Sequence, residues 1–361
     1  INIAMEPRLH FSDPSWSKTP RTLIALLGIL GIFCIVGVVS YFQQSSLSAS
    51  AMKQFQFEEQ EFNDYIEKFN KAYSDEEYAN RFYIFTQNAA YIRLHNSLNK
   101  SWTLGYNQFT DLSPEEFKAT YLVSYKATKL SAKTAWFDTS LKIPQSIDWR
   151  SVGAVTPVGN QGTCTAGWAF AAAGAIEGLW KISGNPLVAL SVEQLVSCSY
   201  SYGNHGCNGG IPDFAFEYVI GNQGIASSKI YPWTSGNSTV NNCIPTLASN
   251  VAANILNYNN VSPVNDPAAL LGAITQQPIA VGVEADQYVW QYYKTGTISN
   301  NCGTNINHYA LVVGYNNTVS PYYIVKNSWG SGWGMNGYVN IAVGSSTGVC
   351  GIQMVASFPT L

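Results

Sequence analysis

The placement of the cysteines constrains the fold of this 361-residue chain more than any other feature of its sequence. One cysteine, Cys34, lies in an apolar run near the N-terminus. The other six follow much later, at Cys164, Cys198, Cys207, Cys243, Cys302 and Cys350. An even number confined to one part of the chain predicts three disulfide bonds, formed in an oxidising compartment. The count alone leaves their connectivity open.

A second feature is the unbroken apolar run from Leu23 to Val39. About 20 helical residues are needed to cross a hydrocarbon core of about 30 Å, so the run predicts a transmembrane helix over 22–42. Lys18 and Arg21 precede the run, and the next positive charge is Lys53. The positive-inside rule then predicts a single-pass type II protein whose large part lies on a lumenal, oxidising side. An endolysosomal or secretory membrane is favoured, with another organelle membrane as the alternative.

A cleaved signal peptide is the competing interpretation of this run, because Ala49-Ser50-Ala51 offers a small-x-small cleavage site. The run is longer than the usual ~7–15 apolar residues of a signal peptide, which favours the anchor. Residues 1–21 form a proline-containing tail without periodicity. We expect partner subunits of a membrane assembly to contact residues 1–42.

Composition excludes some function classes. Charged residues make up only 11% of the chain and the formal net charge is −3, so no nucleic-acid partner is expected. We also expect no metal and no cofactor. Four Asn-x-Ser/Thr sequons lie beyond the apolar run, at Asn99, Asn237, Asn260 and Asn316.

A charged, periodic region over 55–122 follows a linker over 43–54. Ser74–Glu77 and Ser113–Glu116 both have the pattern of a helix-capping box, and Pro114 occupies the favoured first helical position. Apolar residues behind the first box recur at helical spacing and predict one buried helix face: Tyr78, Phe82, Phe85, Ala89 and Ile92.

The same region resembles the pro-segments of cathepsin-L-type enzymes in the papain-like cysteine peptidase family. The pattern E-x3-R-x3-F-x2-N-x3-I-x3-N is matched by Glu77, Arg81, Phe85, Asn88, Ile92 and Asn96. The pattern G-x-N-x-F-x-D that follows it is matched by Gly105, Asn107, Phe109 and Asp111. The resemblance implies a helical inhibitory pro-domain over 55–122 that lies across the peptidase cleft.

After a linker over 123–142, the segment Ile143–Arg150 resembles the start of mature cathepsin-L-type enzymes, and the resemblance continues to Leu361. Small apolar residues over Trp168–Trp180 predict a buried helix, and short β-rich runs follow in the C-terminal half. These runs are Ile279–Val283, Tyr309–Tyr315, Tyr322–Lys326 and Tyr338–Ala342. The resemblance implies an α+β papain-like fold over 143–361, with a helical lobe, a β-barrel-like lobe and a cleft between them. It also implies the disulfide pairs Cys164–Cys207, Cys198–Cys243 and Cys302–Cys350.

The run Gln161–Phe170 resembles the active-site run Q-G-x-C-G-S-C-W-A-F of that family. Its first cysteine matches Cys164, and the nucleophilic cysteine corresponds to Gly167. In this family a Cys–His pair transfers an acyl group and an Asn orients the imidazole. The resemblance assigns the remaining roles as follows: His308 as the base, Asn327 as its orienting amide, Gln161 as the oxyanion-hole donor, Trp329 as a shield, and Gly209 and Gly210 as the cleft wall.

Three departures from the family pattern surround this cleft. Gly167 carries no thiol, Thr165 and Ala166 replace Gly-Ser, and Tyr309 replaces the small residue after the histidine. Thr165 is expected to intrude on the cleft and Tyr309 to narrow the specificity pocket. These departures predict that the protein is not an enzyme. The interpretation is a membrane-anchored pseudoenzyme that keeps its pro-segment and serves as a scaffolding subunit. The alternatives are a decoy that binds peptides or inhibitors, and a cysteine endopeptidase zymogen present in an inactivated form.

Overall fold

The computed structural model describes residues 49–123, 133–138, 140 and 142–361. The predicted tail over 1–21, the predicted membrane segment over 22–42 and its Cys34 lie outside these residues. Within the described ranges, no helix is both long enough and apolar enough to span a bilayer.

The described part of the chain divides into two units between Asn63 and Asp64, and the larger unit extends from there to Leu361. Helix α1 (Ala49–Phe69) crosses this division. It begins inside the segment 43–54 that the sequence predicts to be a linker, because alanine, methionine, lysine, glutamine and glutamate in this stretch all have high helix propensity.

The two predicted capping boxes start the next helices, α2 (Asp75–Ser97) and α3 (Pro114–Tyr121). In each box the serine hydroxyl accepts the backbone N–H of the glutamate three residues on, at 3.3 Å for α2 and 3.2 Å for α3. A short strand, β1 (Trp102–Leu104), lies between the two helices.

The predicted apolar face of α2 is buried over its second half only. Phe85, Ala89 and Ile92 are buried, whereas Tyr78 and Phe82 remain partly exposed. The polar Asn88 and His95 complete the buried face. Amide and imidazole groups on a buried face need hydrogen-bond partners there. This face of α2 therefore makes hydrogen bonds as well as apolar contacts with the residues packed on it.

The helices of the larger unit that follow α3 are α4 (Gly167–Ile182), α5 (Val192–Cys198), α6 (Pro212–Gly221), α7 (Pro245–Ala248), α8 (Pro267–Ile274) and α9 (Tyr288–Gln291). Helices α5 and α6 pack against α4, whereas α8 and α9 belong to the core of the β part. Helix α4 is buried along most of its length, and a Cβ added to Gly174 would lie 2.6 Å from Leu311 Cδ2. The missing side chain lets the helix approach the sheet closely, which fixes the position of its N-terminus.

The β part is a mixed sheet of ten strands in the described chain. The strands after β1 are β2 (Lys133–Trp136), β3 (Ser146–Asp148), β6 (Asn257–Ser262), β7 (Ile279–Val283), β8 (Tyr293–Ile298), β9 (His308–Asn316), β10 (Tyr322–Lys326), β11 (Tyr338–Ala342) and β12 (Ala356–Thr360). The strand order is β1-β8-β11-β10-β9-β7-β12-β6-β2, with β3 paired to β9. Two further strands, β4 (Ile225–Ala226) and β5 (Val251–Ala253), form a separate pair. The predicted α+β architecture is therefore confirmed.

Strand β2 comes from the segment that the sequence predicts to be the linker over 123–142. It pairs in parallel with β6, from Lys133 opposite Asn259 to Trp136 opposite Ser262. The next residue, Phe137, donates its N–H to the carbonyl of Ser262 at 2.9 Å. The linker therefore adds an outer strand to the sheet.

Three disulfide bonds cross-link the larger unit. They join Cys164 to Cys207, Cys198 to Cys243, and Cys302 to Cys350. The first bond ties the loop before α4 to the segment before α6, so it helps to hold the N-terminus of α4 in place.

Candidate active site

The N-terminus of α4 forms the floor of the site. Gly167 is the first residue of the helix, is buried, and has no side-chain cap before it. The first backbone N–H groups of a helix lack intrahelical partners and carry the positive end of the helix dipole. An anion bound at position 167 would therefore be stabilised.

His308 faces this helix terminus from the first position of β9. An ideal Cβ on Gly167 would lie 2.6 Å from His308 Cε1 and 2.8 Å from Nδ1. The imidazole thus occupies the space that the first side-chain atom at position 167 would need. The carbonyl of Tyr309 would also lie 2.8 Å from that Cβ, so any larger residue at 167 requires the ring and the backbone around it to shift.

Asn327 fixes the orientation and the tautomer of His308. The Nε2 atom of His308 lies 2.8 Å from Asn327 Oδ1, and the same oxygen accepts the backbone N–H of Ser328 at 2.8 Å. Since that oxygen is an acceptor towards the Ser328 N–H, Nε2 must carry the proton and donate. The lone pair of His308 is then on Nδ1, the nitrogen that faces position 167.

The imidazole is buried, with 4% of its surface exposed. Burial lowers the pKa of His308 to about 4, against the hydrogen bond to Asn327, which favours the protonated ring. The indole of Trp329 covers the pair, with its ring centroid 4.9 Å from that of His308. The ring is therefore a neutral base in the closed form of the site.

Gln161 supplies a hydrogen-bond donor beside these groups. Its Oε1 accepts the hydroxyl of Ser328 at 2.7 Å, which leaves the amide nitrogen pointing into the cleft. That nitrogen donates to the carbonyl of Tyr121 at 3.2 Å. The position that a substrate carbonyl would take is thus filled by the carbonyl of Tyr121, the last residue of α3.

The segment after α3 continues along the cleft wall. The N–H of Val123 donates to the carbonyl of Asn307 at 3.1 Å. A Cβ on Gly209, whose φ is +105°, would lie 2.7 Å from Val123 Cγ1. A Cβ on Gly210 would meet the side chains of Asn204 and Trp168. Both glycines are required because chain segments approach them too closely for a side chain.

Thr165 is held by the segment that contains Cys207. Its hydroxyl donates to the carbonyl of Cys207, and its N–H donates to the same carbonyl at 3.3 Å. Thr165 lines a small cavity together with Val123 and His308. Its intrusion on the cleft stays a prediction.

Tyr309 lies opposite Gly282 of β7. An ideal Cβ on Gly282 would lie 3.5 Å from Tyr309 Cε1, an ordinary van der Waals distance, and 2.7 Å from Ile306 Cγ2. The missing side chain at 282 is therefore needed by Ile306 rather than by the phenol. Tyr309 itself lines two small cavities beside Gly167.

The motif residue Asp111 is the centre of a polar cluster in the pro-segment. Its carboxylate accepts the hydroxyls of Tyr65 at 2.6 Å and Tyr73 at 2.7 Å, and the ammonium of Lys71 at 2.9 Å. Burial alone would raise the pKa of Asp111, but the hydrogen bonds from Lys71, Tyr65 and Tyr73 outweigh it and lower the pKa. Arg81 donates to the carbonyl of Asp111 at 3.1 Å, so the cluster is joined to α2.

Arg81 also forms a two-pronged ion pair with Glu116 of α3, at 2.9 and 2.8 Å. A pairing of Arg81 with Glu77 along the helix would join only neighbouring turns, whereas this pair joins α2 to α3. Glu77 instead serves the capping box at Ser74. The polar positions of the motif are thus tertiary contacts.

The remaining motif residues fasten the pro-segment to itself and to the body. Within the pro-segment, Asn88 donates to the carbonyls of Thr110 and Leu112, and Asn96 pairs with the N–H and the carbonyl of Leu104. Two contacts reach the body: Asn107 donates to the carbonyl of Gln291 at 2.7 Å, and a Cβ on Gly105 would lie 2.6 Å from Lys294 Cδ. Phe109 and Phe117 place their edges against Trp329, with centroids 5.5 and 5.3 Å away. The pro-segment therefore packs directly on the residue that covers His308.

The sequence missed two contributors to this site. Ser328 orients Gln161, and its place directly after Asn327 was the available signal. Tyr121 blocks Gln161 through a backbone carbonyl, which no side-chain motif could indicate.

No group of three or more His, Cys, Asp or Glu side chains in the described residues is arranged to hold a metal ion.

Comparison with known proteins places these features in one family. The family described as "Papain family cysteine protease" matches residues 143–360, and the "Cathepsin propeptide inhibitor domain (I29)" matches residues 62–117. The chain is 39% identical over 309 residues to "Cysteine protease XCP2" of Arabidopsis thaliana, covering 83% of this chain and 85% of that protein. It is 39% identical over 320 residues to "Fruit bromelain" of Ananas comosus, covering 83% and 86%.

Solved structures of proenzymes are similar over the same extent. A recombinant stem bromelain precursor matches with a TM-score of 0.77 and 39% identity, covering 84% of this chain and 99% of the other. The proform of the ragweed pollen cysteine protease Amb a 11 matches with a TM-score of 0.78 and 34% identity, covering 88% and 98%. The papain-like fold with an attached propeptide is thus confirmed.

These relatives contradict the prediction that the protein is not an enzyme. The matched family and the relatives across more than four-fifths of the chain are cysteine proteases. The prediction was wrong because it counted Gly167, Thr165 and Tyr309 as three lesions of one cleft. Thr165 is hydrogen-bonded to Cys207, and His308 and Gln161 keep their hydrogen bonds to Asn327 and Ser328. The scaffold interpretation has no support from these relatives.

Proposed function

Because the chain belongs to the papain family of cysteine proteases, we propose that it is the proenzyme of a cysteine endopeptidase, present here in a form whose nucleophile position holds glycine. The observation that carries the proposal is the geometry of the base. The Nδ1 lone pair of His308 faces position 167 at the N-terminus of α4, with Nε2–H held by Asn327.

The proposed reaction uses a thiol on residue 167, which this sequence does not have. Nδ1 of His308 takes the proton of that thiol, and the helix N-terminus stabilises the thiolate. The thiolate attacks the substrate carbonyl, and the amide nitrogen of Gln161 donates to the oxygen as it becomes negative. His308 then gives its proton to the leaving amine, and water hydrolyses the acyl-enzyme.

The pro-segment keeps this machinery closed. The carbonyl of Tyr121 takes the donor of Gln161, and Val123 takes a carbonyl of the cleft wall. Two aromatic edges hold Trp329 down over His308. A substrate reaches position 167 only after these contacts are released.

The test is to restore the thiol with Gly167→Cys and to compare it with Gly167→Ala as the matched control. Both substitutions add a Cβ that displaces His308, but only the cysteine supplies a nucleophile. The readouts are removal of the pro-segment, followed by gel and mass spectrometry, and hydrolysis of a fluorogenic peptide.

Gly167→Cys is expected to hydrolyse the peptide once the pro-segment has been removed, and a second change, His308→Ala, is expected to abolish this. Gly167→Ala is expected to remain inactive under the same treatment. A folded Gly167→Cys protein that has lost its pro-segment and still cleaves nothing would refute the proposal.

We further propose that residues 22–42 direct the chain across a membrane into an oxidising compartment. The apolar run, the preceding positive charges and the three disulfides support this. N-terminal sequencing of the protein from a eukaryotic host, with alkaline extraction of membranes, separates an anchor from a cleaved signal peptide. A reduced protein in the cytosolic fraction would contradict both.

A further inference from the structure

A turn beside the oxyanion-hole loop carries one of the four sequons. The turn spans Ser235–Asn237 and is fixed to the loop after Gln161 by two contacts. Thr163 donates its N–H to the carbonyl of Gly236 at 2.8 Å, and its hydroxyl pairs with that of Ser238 at 2.9 Å. Anything attached to this turn therefore has a defined place next to Gln161.

Asn237 is exposed on this turn and presents its side-chain nitrogen outwards. Its Oδ1 accepts the N–H of Thr239 at 3.1 Å, so Nδ2 faces away from that backbone group. The residue lines a cavity of about 390 Å³, whose other walls include the rings of Phe109, Tyr121 and Trp329. Phe109 and Tyr121 belong to the pro-segment, so the cavity opens towards the cleft when the pro-segment leaves.

The sequon at Asn260 is different, although its sequence pattern is the same. Asn260 lies on β6, between Ser357 of β12 and Thr134 of β2. Its side chain hydrogen-bonds to the carboxyl group of Asp213, which is 6% exposed. A glycan on Asn260 would break this buried contact, so chains that carry it cannot pack Asp213 in this way.

We propose that Asn237 is an N-glycosylation site whose glycan borders the cleft beside Gln161 and limits the size of the substrates that reach it. Asn-x-Ser/Thr on an exposed turn is the pattern that takes such glycans, and a glycan is bulky and hydrated. Asn99 lies at an exposed turn and Asn316 at the partly exposed end of β9, both outside the cleft, and Asn260 stays unmodified. The effect on substrates rests on the proposed peptidase function, whereas the attachment does not.

The attachment needs a lipid-pyrophosphate-linked oligosaccharide, the donor used by eukaryotic secretory compartments. A bond forms between Asn237 Nδ2 and the anomeric carbon of the first sugar. The bond between that carbon and the pyrophosphate oxygen breaks, and the proton lost from the amide leaves with the lipid pyrophosphate. No oxidation or reduction takes place.

The experiment is glycopeptide mapping of the full-length protein from a eukaryotic secretory host. Thr239→Ala removes the sequon and keeps Asn237, while Thr239→Ser keeps the sequon and serves as the matched control. Folded protein is expected to carry a glycan at position 237 in the parent and in Thr239→Ser, to lose it in Thr239→Ala, and to carry none at position 260. An unmodified Asn237, or a modified Asn260, in folded protein overturns the assignment.

The second measurement combines Gly167→Cys with each Thr239 variant, after the pro-segment has been removed. Loss of the glycan is expected to increase hydrolysis of a folded protein substrate and to leave hydrolysis of a short peptide unchanged. An unchanged ratio of the two rates overturns the size limit. If Gly167→Cys cleaves neither substrate, the proposed peptidase function and the size limit fail together, while the mapping still decides the attachment.

Discussion

Replacing Asp111 by asparagine tests how the pro-segment is held in place. The carboxylate is 2% exposed and accepts three donors, from Tyr65, Lys71 and Tyr73, at 2.6 to 2.9 Å. An amide of the same shape keeps one acceptor oxygen and loses the charge that pairs with Lys71.

The size of the effect follows from these contacts. Breaking a buried ion pair costs about 3–5 kcal/mol, and a hydrogen bond to a charged group contributes about 1.5–3 kcal/mol. Lys71 keeps 21% of its side-chain surface in water, and the amide retains part of the hydrogen bonding. We therefore expect Asp111→Asn to destabilise the closed pro-segment by about 3 kcal/mol, which raises its open population roughly a hundredfold.

The dependence on pH has a definite sign. The folded-state pKa of Asp111 is lowered, so its contribution to stability is fully present above the unfolded pKa of about 4 and is lost as the pH falls through the lower folded value. The parent and Asp111→Asn should therefore differ by the full amount at pH 7 and at pH 5. They should converge only below about pH 4.

The assay is limited proteolysis of the pro-segment. Where opening is fast relative to cleavage, the cleavage rate follows the open population. Glycine at position 167 is an advantage here because the chain cannot confuse the result by cutting itself. The control is Asp138→Asn, an exposed aspartate that bonds only to the neighbouring Ser140 among the residues described. If Asp111→Asn changes the cleavage rate by less than Asp138→Asn does, Asp111 does not hold the pro-segment. The same conclusion follows if the parent and Asp111→Asn are already cleaved at equal rates at pH 5.

Three further predictions follow from buried and interfacial contacts. The His308 imidazole should stay neutral down to about pH 4 in the closed form, because burial lowers its pKa, and its NMR titration should show no protonation near pH 6.5, the ordinary value. Lys118→Ala should weaken docking of the pro-segment by less than about 1 kcal/mol, because Lys118 lies 2.7 Å from Asp286 but its side chain is 56% exposed. The difference should vanish in high salt, and a large, salt-independent loss in binding of the pro-segment would contradict this. Gly174→Ala should lower the free energy of unfolding, measured by urea titration, by about 1–3 kcal/mol, because the added Cβ would lie 2.6 Å from Leu311. A variant more stable than the parent would show that α4 can move away from the sheet to make room for the methyl group.

The sequence predicted those parts of the fold that follow from local patterns. The capping boxes at Ser74 and Ser113 start helices because a serine acceptor and a glutamate three residues on satisfy the first backbone N–H groups wherever they occur. The run of small residues after Gly167 gives a buried helix for an equally local reason, since only small side chains allow close contact on all sides.

The sequence could not show contacts that depend on distant backbone. The carbonyl of Tyr121 reaches Gln161 across 40 positions, and nothing in either side chain signals it. Likewise, Arg81 turns to Glu116 rather than to Glu77, because the partner that lies nearest is decided by how two helices pack. The pairing of Tyr309 with Gly282 of β7 is likewise decided by the sheet and not by the residues around Tyr309 in sequence.

The parallel pairing of β2 with β6 makes the outer boundary of the sheet depend on a segment that processing can remove. Strand β6 directly borders β12, and a chain cut after Asp138 and freed of β2 would present to solvent the backbone groups of Asn259–Ser262 that now pair with β2. An uncovered strand edge is a template for pairing with another extended chain. The point at which this linker is cut therefore bears on self-association of the processed protein: a cut before residue 133 leaves the edge protected, and a cut after residue 138 leaves it open.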